Sequence, residues 1–290
     1  MKKLKIALPK GSLQDFTFSL FKRAGFRLKV EERSYLVSTN DPELEVSLIR
    51  AQEIPTYVEK GAVDSGISGK DWILENKARV KEVKELPYTK QGIGSVKLVI
   101  AVPKNSPIKK VSDLEGKTIA TELVNVTKDY LKKKGVSAKV EFSWGATEIK
   151  AGRLVDAIAE LTETGATLIA HNLKIIETIL TSTPRLIANT KSFREPWKRK
   201  KLSALALLLE GALLAETKVG LKLNILSGRL KKLLSVLPAL RKPTVSSLSE
   251  EGWCAVEAIV EKEEVKNLIP RLKEIGAEGI IEYPLNKVIY

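Results

Sequence analysis

The residues best suited to chemistry lie in one run, residues 156–168, which reads Asp-Ala-Ile-Ala-Glu-Leu-Thr-Glu-Thr-Gly-Ala-Thr-Leu. The pattern predicts a buried strand with two acidic side chains, Asp156 and Glu160, then a turn of small residues and a helix. The first N–H groups of a helix have no intrahelical partner and carry partial positive charge, so they can hold a phosphate. Carboxylates beside such a turn can orient sugar hydroxyls or a magnesium ion. This combination of groups suits a ribose 5-phosphate.

The turn supplies polar groups of its own. Gly165 lets the backbone approach a phosphate closely, and Thr164 and Thr167 add hydroxyl donors. The predicted phosphate-binding turn consists of Glu163, Thr164, Gly165, Ala166, Thr167 and Leu168. A Thr-Gly pair before a helix is also common in α/β proteins in which threonine is only the N-cap, so the turn alone leaves both interpretations open.

The elements around this run predict a two-lobed α/β core. Strand–turn–helix units alternate along the chain, which favours mostly parallel sheets covered by helices, with a ligand cleft between the lobes. One helix is predicted to begin at Gly145-Ala-Thr-Glu148. We expect lobe I to comprise residues 1–90 and 184–212, and lobe II to comprise residues 91–183. Ligands of such sheets bind beyond the carboxyl ends of the strands, and the residues predicted at these ends in lobe I are Gly11, Arg50, Gly69 and Asp71. The turn at Gly11 is a second possible anion site, with Lys10 beside it.

Residues 213–290 have a different pattern. Strands are predicted at 217–226, 244–248, 253–261 and 279–283, with helices at 228–237 and 263–275. The order β-α-β-β-α-β is that of a ferredoxin-like domain, a layout found in many small regulatory modules.

The composition excludes several kinds of site. The chain of 290 residues has a single cysteine, Cys254, and a single histidine, His171, which argues against a disulfide framework, a Cys/His zinc site or a Ser-His-Asp triad. No apolar run reaches the length of a membrane span, and the N-terminus leads directly into a strand pattern, so we expect a cytoplasmic protein without membrane association. The net charge of +14 favours anionic partners.

Segments spread over nearly the whole chain resemble ATP phosphoribosyltransferase, the first enzyme of histidine biosynthesis. The matching segments are Leu8-Pro-Lys-Gly11, Leu48-Ile-Arg50, residues 54–58, residues 63–71, Gly145-Ala-Thr-Glu148 and the specific signature from Gly152 to Leu168. Residues 213–290, with Pro243-Thr244-Val245 and the strand at 253–257, resemble the histidine-binding domain of the long form of this enzyme.

The resemblance implies a fold and a reaction. The family is similar in fold to bilobal periplasmic binding proteins of type II, and phosphoribosyl pyrophosphate and ATP bind in the cleft between the lobes. The enzyme transfers the phosphoribosyl group to N1 of ATP, gives phosphoribosyl-ATP and pyrophosphate, requires Mg²⁺ and is inhibited by histidine. Adenine N1 carries a lone pair, so the transfer needs no strong general base. The resemblance also implies a homo-oligomer, a dimer and a hexamer, that binds no nucleic acid.

The resemblance assigns roles to particular positions. The implied catalytic residues are Lys10, Arg50 and Asp156. The implied substrate-binding residues are Gly11, Gly69, Asp71, Glu148, Glu160 and all six residues of the 163–168 turn. Magnesium is expected to arrive with the substrate, with Asp156 and Glu160 as candidate ligands. The implied histidine site contains Thr244, Val245, Ala255 and Gly279.

Two positions depart from the family pattern. The usual Lys-Gly-Arg near the N-terminus is Lys10-Gly11-Ser12 here, so one expected cation is missing from the substrate side. The usual Ala-Asn-Gly after the turn is Ala170-His171-Asn172, a change expected to affect packing behind the turn.

Two other classes of protein remain as alternatives at this point. A bilobal protein that binds or senses a small ligand without catalysis would share the same frame. A nucleic-acid-binding protein could use residues 194–201 (Arg-Glu-Pro-Trp-Lys-Arg-Lys-Lys), the densest basic cluster, although nothing around it resembles a stacking platform or a recognition helix.

Overall fold

The computed structural model describes residues 2–30, 36–238, 240 and 242–289. The chain divides into two compact units, Met1–Lys22 with Phe26–Ala206 and Arg23–Gly25 with Leu207–Tyr290. Within the described ranges, we find no helix that is both long enough and apolar enough to span a bilayer.

The first unit is built from strands and helices that alternate along most of the chain. In chain order they are β1 (Leu4–Lys10), α1 (Gln14–Ala24), β2 (Leu28–Val30), β3 (Leu36–Thr39), β4 (Leu44–Arg50), α2 (Ile54–Lys60), β5 (Ser65–Gly69), α3 (Lys70–Glu75), β6 (Lys81–Glu85), β7 (Val96–Pro103), β8 (Thr118–Thr121), α4 (Val124–Lys133), β9 (Lys139–Phe142), β10 (Ala157–Thr162), α5 (Ala166–Ala170), β11 (Leu173–Ser182), β12 (Pro184–Ala188) and α6 (Pro196–Glu216). The boundary with the second unit falls inside α6.

Two mixed sheets form the cores of two lobes. The sheet of lobe I has the order β2-β3-β4-β1-β5-β12-β6, and the sheet of lobe II has the order β11-β7-β10-β8-β9. Among the described strands of these two sheets, the parallel pairs are β1 with β4 and β5, and β8 with β9 and β10. The expectation of mostly parallel sheets was therefore wrong. The antiparallel pairs arise because β2, β3 and β4 follow one another through short connections, and because β7, β11 and β12 lie where the chain passes between lobes.

The parallel strands nevertheless bring polar strand ends together. Strand β1 is buried along most of its length, and its last residue, Lys10, lies in register with Arg50 at the end of β4. The neighbouring strand β5 ends at Gly69. In lobe II, β8 ends at Thr121 and β10 ends at Thr162. The bilobal core that the sequence predicted is confirmed, with a carboxyl edge of strands in each lobe.

The helix predicted from Gly145 is not formed. Residues Thr147–Ile149 make only one 3₁₀ turn. Gly145 has φ +84° and Ala146 has φ +47°, both left-handed, and such residues stop a regular helix.

Helix α3 of lobe I contacts lobe II through its last residue. The Glu75 carboxylate accepts the N–H groups of Asn125 at 3.0 Å and Val126 at 3.0 Å, both in the first turn of α4. The Asn125 side-chain amide donates to the Glu75 carbonyl oxygen at 2.9 Å. Because the first N–H groups of a helix lack intrahelical partners, Glu75 caps α4 from the other lobe.

We expect Glu75→Ala to lower the melting temperature by about 3 °C, because loss of a helix cap costs about 1 kcal/mol in proteins of this size. Amide hydrogen exchange should accelerate at Asn125 and Val126. Glu59→Ala is the matched control, since the Glu59 carboxylate accepts one N–H, from Arg79, at 3.1 Å within lobe I. Unchanged exchange at α4 in Glu75→Ala would contradict the interlobe cap.

The second unit contains β13 (Lys218–Leu226), α7 (Leu230–Val236), β14 (Thr244–Ser247), β15 (Trp253–Glu261), α8 (Val265–Ile275) and β16 (Glu278–Pro284). Its sheet is antiparallel, with the order β14-β15-β13-β16, and confirms the predicted ferredoxin-like β-α-β-β-α-β layout. Alternation along β13 separates its faces, because Leu221 and Leu223 are buried in the core while Lys222 lies on the opposite, open face.

Candidate functional site

The 163–168 turn lies between β10 and α5, as the sequence predicts. Gly165, with φ +81°, is the N-cap of α5 and donates its N–H to Thr162 Oγ1 at 2.8 Å. The Ala166 N–H donates to Thr164 Oγ1 at 3.3 Å. The N–H groups of Thr167 and Leu168 have no hydrogen-bond partner in the described part of the chain. Because α5 has only five residues, these open amides contribute more than any helix dipole.

The turn opens onto a cavity of about 380 Å³ between the lobes. Lobe II contributes most of the wall, and the β1–α1 turn and the segment between β6 and β7 contribute the rest. The polar lining residues are Ser12, Lys90, Gln91, Glu148, Glu160, Thr162, Glu163, Thr164 and Thr167.

A second cavity, of about 170 Å³, lies at the carboxyl ends of the lobe I strands. Its lining includes the four residues that the sequence placed at these ends, Gly11, Arg50, Gly69 and Asp71, and also Lys10. It shares Ser12, Leu13, Val96 and Leu161 with the first cavity, so the two are parts of one cleft.

Two glycines, Gly11 and Gly69, lie at the lobe I end of the cleft, and each is placed where a side chain would be unfavourable. A Cβ atom on Gly11 would lie 3.5 Å from Arg50 Nη1. A Cβ atom on Gly69 would lie 2.0 Å from Asp71 Oδ1, so a side chain there would displace the Asp71 carboxylate. Gly69 is therefore required by space, whereas the 3.5 Å contact at Gly11 is ordinary and its φ of +109° is what favours glycine there.

Asp71 is buried and held by the other lobe. Ser182, at the end of β11, donates its hydroxyl to Asp71 Oδ1 at 2.6 Å and accepts the Asp71 N–H at 3.0 Å. Burial raises the pKa of the Asp71 carboxyl, although the Ser182 hydrogen bond opposes the shift. Asp71 thus lines the lobe I end of the cleft and also forms hydrogen bonds with Ser182 of lobe II.

Carboxyl groups cluster on the lobe II side of the cleft. Burial raises the pKa of Glu160 to about 7; the hydrogen bond with Thr147 opposes this shift, and the charges of Glu122 and Glu148 add to it. Burial also raises the pKa of Glu122. Such a cluster favours ligands that bring hydrogen-bond donors or positive charge, such as sugar hydroxyls or a metal ion.

Asp156 is not part of the cleft. It precedes β10, whereas the turn follows that strand, and six residues of strand span about 20 Å. The Asp156 carboxylate accepts the Thr118 N–H at 2.9 Å and lies 3.8 Å from Lys117 Nζ. It lines a separate surface cavity with Lys117 and Arg153. Eleven of the predicted catalytic and substrate-binding residues line the two cavities of the cleft. Gly165 and Ala166 lie in the turn without lining either cavity, and Asp156 lies at the other end of β10.

Sequence reasoning missed Lys90 and Gln91, which line the cleft beside the turn. They lie in a short turn closed by the Tyr88–Ile93 bridge, and Thr89 donates to Glu163 Oε2 at 3.0 Å. The two glycines of this segment, Gly92 and Gly94, signal a turn, but nothing in the sequence shows which site it faces.

The four positions of the implied histidine site lie on three strands of the second unit. Thr244 and Val245 are on β14, Ala255 is on β15 and Gly279 is on β16. Ala255 pairs with Asn224 of β13, and a Cβ on Gly279 would lie 3.5 Å from Asn224 Nδ2. Ala255, Asn224 and Gly279 are therefore neighbours across the sheet. Thr244 lines a cavity of about 380 Å³ at the other end of β14.

Two lysines of the basic cluster at 194–201 are engaged in ion pairs. Lys198 lies 2.9 Å from Asp64, and Lys201 lies 2.7 Å from both Asp41 and Glu43. These lysines of α6 thus neutralise carboxylates of lobe I.

Comparison with known proteins gives consistent matches. The family model described as "ATP phosphoribosyltransferase" matches residues 50–211, and the model described as "HisG, C-terminal domain" matches residues 215–287. The ATP phosphoribosyltransferase of Pelotomaculum thermopropionicum is 58% identical over 287 residues, covering 99% of each chain. That of Thermodesulfovibrio yellowstonii is 56% identical over 288 residues, also covering 99% of each. A solved structure, the ATP phosphoribosyl transferase (HisG:HisZ) complex from Thermotoga maritima, aligns with a TM-score of 0.62 at 28% identity, covering 73% of this chain and 98% of that one.

Proposed function

Because this chain belongs to the ATP phosphoribosyltransferase family, in the long form with a C-terminal regulatory domain, we propose that the cleft between its lobes is the active site. The enzyme transfers the phosphoribosyl group of phosphoribosyl pyrophosphate to ATP in the first step of histidine biosynthesis. One observation carries the proposal: a single cleft joins the 163–168 turn, the carboxylates of lobe II and the cationic strand ends of lobe I.

The donor's 5-phosphate binds at the 163–168 turn. The open N–H groups of Thr167 and Leu168 and the hydroxyls of Thr164 and Thr167 supply the donors, as at other phosphate sites built from backbone amides. Ala166 and Gly165 leave room for the phosphate because they present no large side chain. Glu160 and Glu148, on the same cavity wall, accept hydrogen bonds from the ribose hydroxyls.

The pyrophosphate and triphosphate groups meet the cations of the cleft. Lys10 and Arg50 stand side by side at the ends of β1 and β4, with Gly11 and Gly69 leaving the space between them. Lys90 lines the cavity together with Ser12, the position at which the family usually has arginine. We propose that Lys90 provides positive charge on this side of the donor.

The chemistry follows from positioning rather than from a strong base. Adenine N1 attacks C1 of the donor with its own lone pair, the bond to pyrophosphate breaks, and the ribose passes through an oxocarbenium-like state. The cleft aligns the two substrates and excludes water, and the carboxylates near the ribose stabilise the developing positive charge. The cations of lobe I stabilise the negative charge on the departing pyrophosphate.

Magnesium fits as an ion carried by the donor. Within the described residues no group of three or more His, Cys, Asp or Glu side chains could hold a metal by itself. Mg²⁺ commonly uses one or two carboxylates and completes its shell with phosphate oxygens and water, and Glu160 and Glu148 offer those carboxylates. The ion, when bound, neutralises charge on the pyrophosphate. We propose no role in this site for Asp156, which lines a separate cavity at the far end of β10.

We also propose the domain bounds, the oligomeric state and the cellular location of the enzyme. Residues 1–90 and 184–212 form lobe I, residues 91–183 form lobe II, and residues 213–290 form the domain through which histidine inhibits. Exposed apolar side chains on the open face of its sheet, Leu226 and Ile281, support assembly into the homo-oligomers, dimer and hexamer, that the family resemblance implies. ATP and phosphoribosyl pyrophosphate are metabolites of the cytoplasm, so we place the enzyme there.

We expect Glu160→Gln to lower kcat about 100-fold, because the amide removes a negative charge beside the developing oxocarbenium. Glu141→Gln is the matched control: Glu141 is also a half-buried lobe II glutamate, on β9, but it pairs with Lys139 at 2.6 Å. Rates are measured as formation of phosphoribosyl-ATP with saturating Mg²⁺. Equal activity of the two variants would show that Glu160 is not at the reacting sugar.

A further inference from the structure

A chain of hydrogen bonds leads from a lysine to the carboxyl group of Glu160. Lys150 Nζ donates to Ser143 Oγ at 2.6 Å, and Ser143 Oγ lies 3.0 Å from Thr147 Oγ1. The turn that begins at Thr147 packs against β10, which carries Glu160, and the Thr147 side chain lowers the pKa of the Glu160 carboxyl. Ser143 and Thr147 are 2% and 0% exposed, so both hydroxyls are shielded from water. The chain runs behind the wall of the cleft, and of its members only Glu160 lines the cavity.

When Glu160 is ionised, the chemistry of the two ends sets the direction of each hydrogen bond between Lys150 and Glu160. An ammonium group can only donate, so Ser143 Oγ must accept from Lys150 and is free to donate to Thr147. An ionised carboxylate can only accept, so in that state the Thr147 hydroxyl is oriented to donate toward Glu160. Each hydroxyl accepts one bond and donates the next, an arrangement in which neighbouring bonds strengthen one another.

Thr147 is placed to position two carboxylates that repel each other, those of Glu148 and Glu160. Thr147 is the first residue of the 3₁₀ turn Thr147–Ile149, so its position also sets that of Glu148, which lines the cavity. The charges of Glu148 and Glu122 act on Glu160 within this cluster.

We infer that Lys150 is a positioning residue for the phosphoribosyl transfer, acting through Ser143 and Thr147 to hold Glu160 and Glu148 at the reacting sugar. This inference rests on the proposed place of Glu160 in the active site. Lys150 itself lies outside the cleft lining and is half-buried.

We expect Lys150→Met to lower kcat about 10-fold while both KM values change less than about threefold, a size typical of residues that orient a ligating group. Thr147→Val is expected to have the same effect, and Lys150→Arg to restore most of the rate. Lys174→Met is the matched control, because Lys174 is also a half-buried lobe II lysine with one oxygen partner, Ser106 O at 2.8 Å.

The double variant Thr147→Val with Lys150→Met separates a linear chain from two independent effects. If both residues act through one series of hydrogen bonds, kcat of the double variant falls about 10-fold, no more than in either single variant. If they act independently, the two losses multiply to about 100-fold. If Lys150→Met does not fold, Ser143→Ala interrupts the same chain without removing a charge, and the same comparison with Thr147→Val applies. A multiplied loss, a loss confined to KM, or a Lys150→Met rate equal to that of Lys174→Met would overturn the inference. Normal activity of Glu160→Gln would instead refute the proposed site itself.

Discussion

Gly165→Glu is expected to lower kcat/KM for phosphoribosyl pyrophosphate about 1000-fold, the scale seen when a preorganised anion site loses its donors. Two effects add. Gly165 has φ +81°, which a residue with a side chain adopts only at a cost, so the turn distorts. The new carboxylate also stands beside the open amides of Thr167 and Leu168, where it repels the phosphate or takes its place. Steady-state kinetics with varied donor concentration measures the loss.

Gly135→Glu controls for strain and charge together. Gly135 has φ +70° and follows α4 in lobe II, and a Cβ atom added to it would meet no atom within 4 Å. The substitution therefore adds the same carboxylate in a similar backbone conformation away from the cleft. Thr167→Ala, which removes one hydroxyl, is expected to cost about 10-fold. Equal donor affinity in Gly165→Glu and Gly135→Glu would mean that the turn does not hold the phosphate.

The elements of the site that depend on local pattern could be predicted from the sequence. Strand β1, the Gly11 turn and the start of α5 follow from apolar alternation and from glycine and threonine at the breaks. Because the ends of adjacent parallel strands lie at one edge, Lys10, Arg50 and Gly69 could be expected to meet on the basis of the sequence alone, and they line one cavity.

What could not be predicted depends on contacts distant in sequence. Strand β11 carries two β-bulges against β7, which interrupt its alternation and hide it from a period-two pattern. The first residues of α6 resemble a basic surface cluster, and only the structure shows Lys198 and Lys201 paired with lobe I carboxylates. Asp156 belongs to the same signature as the 163–168 turn, but it precedes β10 and the turn follows that strand, so the strand separates Asp156 from the turn.

The second large effect is expected for a substitution in the regulatory domain, at Ala255. Ala255→Leu should raise the histidine concentration needed for half-inhibition at least about 10-fold, since added volume in a well-packed site costs 1–3 kcal/mol or about that factor. Ala255 is half-buried on the open face of the sheet, between Ser246 of β14 and Asn224 of β13, and Asn224 also faces Gly279. A leucine there occupies the centre of the proposed histidine site while keeping the strand apolar.

Ala255→Ser is the matched control, because it adds one oxygen atom and leaves the volume nearly unchanged; inhibition should persist. Titration calorimetry with histidine distinguishes loss of binding from loss of its transmission to the cleft, and the rate without histidine is the reference for each variant. The assignment predicts that histidine binding itself weakens in Ala255→Leu, by the same factor as inhibition. Inhibition and binding both at the parental level in that variant would place the histidine site elsewhere on the domain. A domain that still binds histidine but no longer inhibits would show that Ala255 transmits the signal and does not contact the ligand.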